Sequence, residues 1–179
     1  RGMSGSAIES ANFGTTGRSP VVFLLARRRR VRPHRQQEVR AMDGGIEEMT
    51  SQDYEQVAAL WEEVEMWPHV GEDRLWFERA LARNPDCVLV WRENGRVIGT
   101  AVGAWDGLRG WIYHLAVTPS RQGQGIGTRL LAAVEARLRA RGVQQINLMV
   151  YEKNGRAEAL YRRAGYESSP VKMLRKRFV

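Results

Sequence analysis

Gly123, Gly125 and Gly127 stand at every second position between a β-branched and aromatic run, Trp111 to Val117, and a strongly helical segment. Small residues where a loop becomes a helix let successive backbone N–H groups close on an anion. The helix N-terminus adds its partial positive charge. The stretch Gln122-Gly123-Gln124-Gly125-Ile126-Gly127-Thr128 therefore reads as a cradle for a pyrophosphate, in which side chains at the glycines would hold the phosphates off the backbone. Two commoner nucleotide loops fail on spacing. A Walker A loop needs Gly-Lys-Ser/Thr after four residues, and no such run occurs. A Rossmann fingerprint needs its third glycine three residues after the second and an acid ~20 positions on. Here the third glycine comes two residues after the second, and no carboxylate stands near Asn147. Taken alone, the glycines fit a tight strand-to-helix turn without ligand equally well.

The neighbouring residues shift that balance. Gln122 to Gly127 resembles the Gln/Arg-x-x-Gly-x-Gly/Ala acetyl-CoA loop of the GNAT superfamily of N-acetyltransferases. Asn154-Gly155-Arg156-Ala157-Glu158-Ala159-Leu160-Tyr161, followed by Ala164-Gly165-Tyr166, is similar to that family's Asn-x-x-Ala-x-x-Leu-Tyr and Gly-Phe/Tyr signature. The likeness covers Trp111 to Tyr166 most closely and extends from Gly45 to Val179. Within the superfamily it points to small bacterial acetyltransferases related to the ribosomal-protein N-terminal enzymes.

The resemblance implies direct transfer of an acetyl group from acetyl-CoA, as co-substrate, to an amine. It places the pantetheine arm along Leu115, Ala116 and Val117 and the pyrophosphate on the N–H groups of Gln122 through Thr128. A backbone N–H near Val117 would stabilise the oxyanion. Tyr161 matches the tyrosine that protonates the departing thiolate, with helix packing as its plainer role. A phenol of pKa ~10 serves a thiolate of pKa ~8.5 only when held beside it. Asn154 matches the asparagine that contacts the pantetheine, and it suits an N-cap equally. The general base departs from the family pattern. Positions that carry a glutamate in relatives are Trp111 and Met149 here, leaving His114, Tyr113 and Glu152 as candidates acting through water. His114 is the residue chosen. Without an obvious carboxylate, the chemistry leans toward weakly basic amines. An amine of pKa ~7.8 is neutral in roughly a quarter to a third of molecules near pH 7.4, against about one in a thousand for lysine at ~10.4.

These residues need elements to position them, and the pattern predicts an α/β fold. A strand at Ile46 to Met49 leads to Thr50 and Asp53, a capping pair for a helix presenting Val57, Leu60, Trp61 and Val64. A second helix spans Asp73 to Arg83. Cys87 to Trp91 and Val97 to Trp105 form a hairpin about Asn94-Gly95. Strand Trp111 to Val117, helix Thr128 to Arg141 and strand Ile146 to Val150 read as a βαβ unit with parallel strands. A last helix, Asn154 to Ala164, precedes a closing strand from Val171 to Phe178. With the resemblance, this implies a mixed, mostly antiparallel sheet with helices on both faces and a central parallel pair splayed around acetyl-CoA. The acceptor pocket is expected from Met66-Trp67-Pro68-His69, the loop Asp106 to Gly110, and walls drawn from Trp61, Trp67, Trp76 and Trp105.

Composition narrows the partners. The net charge is +8, but residues 1–41 hold nine arginines against Glu9 and Glu38, leaving +1 for residues 42–179. The domain proper therefore carries no electrostatic footprint for nucleic acid. The leader, with Arg27-Arg28-Arg29-Arg30, is expected to be disordered and to be an added or upstream extension ahead of the 42–179 domain. The alternative is a basic tether to anionic surfaces. No apolar run approaches the ~20 residues of a membrane span. His34, His69 and His114 lack metal-ligand spacing, so no metal is expected. The single cysteine, Cys87, reads as a buried thiol in a reducing cytoplasm. A homodimer is compatible with all of this. The competing functional reading is a sensor that binds acetyl-CoA and has lost its base.

Overall fold

The computed structural model describes residues 44–66, 73–176 and 178. Strands β1 (Gly45–Glu48), β2 (Val88–Glu93), β3 (Arg96–Trp105), β4 (Gly110–Val117) and β5 (Ile146–Leu148) form one sheet in chain order. Every neighbouring pair is antiparallel except β4 and β5, which run parallel. The hairpin between β2 and β3 turns at Asn94 (φ 49°) and Gly95 (φ 76°), the two left-handed residues that match the strands' own twist.

Helix α3 (Ile126–Ala140) covers one face, setting Ile126, Leu130, Leu131, Val134 and Leu138 against Leu89, Trp91, Ala101 and Ile112. Helices α1 (Tyr54–Glu63) and α2 (Arg74–Arg83) cover the other, where Val57, Leu60, Trp61 and Phe77 meet Val88, Val90, Val102 and Ala116. Both faces of β2 are thus buried, which is why Val88-Leu89-Val90-Trp91 is an unbroken apolar run. The close seat of α3 on β3 depends on Gly103, where an added Cβ would stand 2.6 Å from Val134 Cγ1. Cys87 is wholly buried, and burial, aided by Asp86, pushes its thiol up from the ordinary range.

Ion pairs tie the layers at their margins. Arg92 reaches Glu47 at 2.7 Å and Asp53 at 2.8 Å, and Arg141 pairs with Asp86. Burial works to raise the Asp53 carboxyl, but hydrogen bonds from Arg92 and Thr50 outweigh it and hold the group below its usual value. Thr50 and Asp53 form the expected reciprocal cap.

The elements depart from expectation toward the C-terminus. The fifth strand ends at Leu148, two residues early. The closing strand does not form: residues 171–176 and 178 carry no regular structure, with Val171, Leu174 and Phe178 exposed. Adjacent Met173 and Leu174 break the two-residue alternation, so no single face of that segment is apolar. Consequently the parallel pair β4–β5 closes one side of the described sheet. Helix α3 starts at Ile126 rather than Thr128, and α4 spans Gly155–Arg163. The leader at 1–41 and the Trp67-Pro68-His69 part of the acceptor pocket lie outside the described residues. Among the described residues, no helix is long and apolar enough to cross a membrane.

Candidate active site

β4 and β5 pair only at Gly110–Ile146, Trp111–Asn147 and Ile112–Leu148, then part. The parting begins where β4 carries an extra residue. Opposite it, Thr100 pairs with Ala116 and Val102 with Tyr113, so the single residue Ala101 faces both His114 and Leu115. His114 occupies the left-handed region at φ 48°, a conformation that costs a non-glycine residue about 1–3 kcal/mol. Its carbonyl accepts a hydrogen bond from Thr100 Oγ1 at 2.8 Å, and that oxygen accepts one from Trp61 Nε1 at 3.0 Å.

Past the bulge, Leu115, Ala116 and Val117 line a cleft of about 410 Å³. The chain then turns through Pro119–Arg121, fastened by Arg121 Nε to Glu93 at 2.9 Å. Gly123 (φ 80°) and Gly125 (φ 85°) take left-handed backbone, and Gly125 caps α3, so the loop delivers free amides to the helix start. A Cβ at Gly125 would meet no protein atom within 4 Å, which leaves that space to a ligand. Gly127 lies within the helix, facing Leu160 of α4.

From the other side comes α4, capped by Asn154, whose Oδ1 accepts from Ala157 N at 3.1 Å. Tyr161 lines the cleft and, with Leu160 and Tyr166, packs on the α3-side core, the two tyrosine rings edge-to-face at 5.8 Å. Burial raises its phenol above the ordinary tyrosine range, so the group keeps its proton at neutral pH.

Most expected site residues thus surround one cavity: Leu115, Ala116 and Val117; Gln122, Gly123, Gly125, Ile126, Gly127 and Thr128; Asn154 and Tyr161. Two do not line it. Gln124 turns its side chain to Ser120 O and Arg121. His114 packs its ring against Trp61 (centroids 4.1 Å) and edge-on to Trp76 (5.1 Å), with Nδ1 3.4 Å from Met66 Sδ. Of the other base candidates, Tyr113 stacks on Trp111 and Glu152 is exposed; neither lines the cleft. Among the described residues the cleft has no carboxylate in its lining. Trp61 is core, Trp105 is exposed, and Asp106 spends its carboxylate on Leu108 N, Arg109 N and Trp111 Nε1, which lower it to about 2.

Sequence reading missed Arg156 and Arg163, which line the cavity with Arg121. Arg156 donates to Gln122 Oε1, while Gln122 Nε2 donates to Val117 O at 2.8 Å, joining α4, the loop and β4. The available signal was the spacing of Arg156, Leu160 and Arg163 at i, i+4 and i+7, one helix face. A second groove, about 620 Å³ between α1 and the β2–β3 turn, lacks both the glycine loop and Tyr161.

Comparison with known proteins agrees with this geometry. Residues 46–166 match the model of the acetyltransferase (GNAT) family. An acetyltransferase of Yersinia pestis is 35% identical over 127 residues, covering 71% of this chain and 90% of its own. In fold, the PaiA N-acetyltransferase of Thermoplasma acidophilum, solved in complex with coenzyme A, aligns with TM-score 0.66 at 17% identity, over 73% of this chain and 94% of that one. A ribosomal-protein alanine N-acetyltransferase of Escherichia coli aligns with TM-score 0.61 at 22% identity, over 70% of this chain and 79% of its own. The chain belongs to the GNAT family of acetyltransferases.

Proposed function

We propose that this enzyme moves an acetyl group from acetyl-CoA directly to a primary amine, an α-amine of a peptide or protein or a small-molecule amine. The observation that carries this reading is the convergence, on one cleft, of the end of β4 beyond its pairing with β5, the glycine-loop amides and the Tyr161 phenol. The coenzyme bound to the Thermoplasma relative of like fold supports it.

In this reading the pantetheine arm lies along Leu115, Ala116 and Val117, and the amides of Gly123 to Thr128 hold the diphosphate; the Gln122 N–H, expected among them, donates to Pro119 O at 3.3 Å instead. Arg156 adds charge above the loop. A neutral amine nitrogen attacks the thioester carbon, an N–H near Val117 steadies the developing oxyanion, and the carbon–sulfur bond breaks. Tyr161 gives its proton to the departing thiolate, and the new amide nitrogen releases one to water or a base. His114, behind the cleft-lining Met66, is the base candidate, and it can act only through water that passes Met66, because a thioether carries no proton.

Because no carboxylate among the described residues lines the cleft, deprotonation has little local help from them, and weakly basic amines are favoured. Turnover on two peptide sets tests this, one with a free α-amine and acetylated lysines, the other with a blocked N-terminus and free lysine. Faster acetylation of the first is expected; exclusive acetylation of the second would contradict the preference. The same missing carboxylate favours one alternative, an acetyl-CoA sensor. Tight coenzyme binding without turnover on any amine would establish that alternative.

A further inference from the structure

We infer that Thr100 is a positioning residue for the pantetheine arm: its hydroxyl clamps the bulge that turns the end of β4 toward the cleft. The inference rests on the acetyl-CoA reading above. Thr100 has no exposed surface and is flanked on β3 by Ala101 and Val102, so packing alone would be met by valine. Instead both functions of its hydroxyl are engaged. It accepts from Trp61 Nε1 on α1 and donates to the carbonyl of His114, the residue at φ 48°.

The bulge decides which way β4 faces. In a regular strand successive side chains alternate between faces. Here Tyr113 and His114 both lie on the α1–α2 side, while Ile112 and Leu115 both pack toward α3. A one-residue slip would reverse every residue beyond it. Leu115, Ala116 and Val117, the part of β4 that lines the cleft, owe their facing to that single extra residue. The Thr100 hydroxyl holds the His114 carbonyl, and Trp61, itself buried, holds the hydroxyl in place. Removing the hydroxyl breaks both hydrogen bonds at once, takes the acceptor from the buried Trp61 indole, and releases the hold on the bulge.

The test separates the arm from the nucleotide. Thr100→Val, Thr100→Ser and the parent chain are titrated with acetyl-CoA by calorimetry. They are titrated in parallel with adenosine 5′-diphosphate, which has the diphosphate and no pantetheine, by amide shifts of Gly123 to Gly127. We expect Thr100→Val to weaken acetyl-CoA about tenfold, Thr100→Ser to recover it to within about twofold, and adenosine diphosphate to be indifferent to all three. Unchanged acetyl-CoA affinity in Thr100→Val, or equal loss of both ligands, would overturn the inference. Should Thr100→Val not fold, Trp61→Phe removes the indole donor alone and carries the same comparison at about threefold. A parent chain that binds no acetyl-CoA would instead remove the functional reading beneath it.

Discussion

Tyr161 is the acid proposed for thiolate departure. It lines the cleft on α4, and burial keeps its proton on well past neutrality. Tyr161→Phe keeps the ring and its packing on Tyr166 but removes the proton, so kcat should fall by about 100-fold or more while acetyl-CoA affinity holds. Unchanged turnover would remove Tyr161 as the acid. The sign of its shift adds a pH expectation. A phenol pKa raised by burial keeps the donor loaded throughout the neutral and mildly alkaline range, so loss of this proton should cause no fall of kcat there. His114 is tested by His114→Asn, since asparagine tolerates left-handed backbone and brings no base. Loss of the ring's contacts with Trp61 and Trp76 should lower the melting temperature in either case; if the ring also serves the reaction, kcat measured on the folded variant should drop, and parent-like kcat would confine His114 to packing.

The loop between β4 and α3 is where element geometry becomes binding. Gly125 sits at φ 85°, a backbone hostile to β-branched residues, and a side chain there would stand in the open space beside the loop. Gly125→Val should weaken acetyl-CoA by about 100-fold or more, with far-ultraviolet circular dichroism unaltered; normal affinity would count against the loop as the phosphate site. Much at this scale was legible in the residues. The Asn94-Gly95 hairpin, the glycine loop and the apolar faces of α1 and α3 each carry a local signal that the fold reproduces. The bulge at His114 was not legible. Trp111 to Val117 is a continuous strand-forming run, and an inserted residue is defined only against the partner strand. Likewise Arg156 became a site residue only when α4 was laid across the loop. The closing strand failed for the converse reason: composition suggested a strand, but a strand needs an edge and a consistent apolar face.

For the whole molecule, two helical layers clamp a sheet whose parallel pair opens on one side, and the opening is the cleft. The walls are fixed by different means: β4 by its hydrogen-bonded bulge, the loop by Arg121 on Glu93, and α4 by its Asn154 cap and Arg156. Titration calorimetry of the full chain with acetyl-CoA tests the account most directly. It predicts saturable association at one site per chain, lost in Gly125→Val and kept in Tyr161→Phe. No heat of association with acetyl-CoA or CoA, at any of several temperatures, would contradict it.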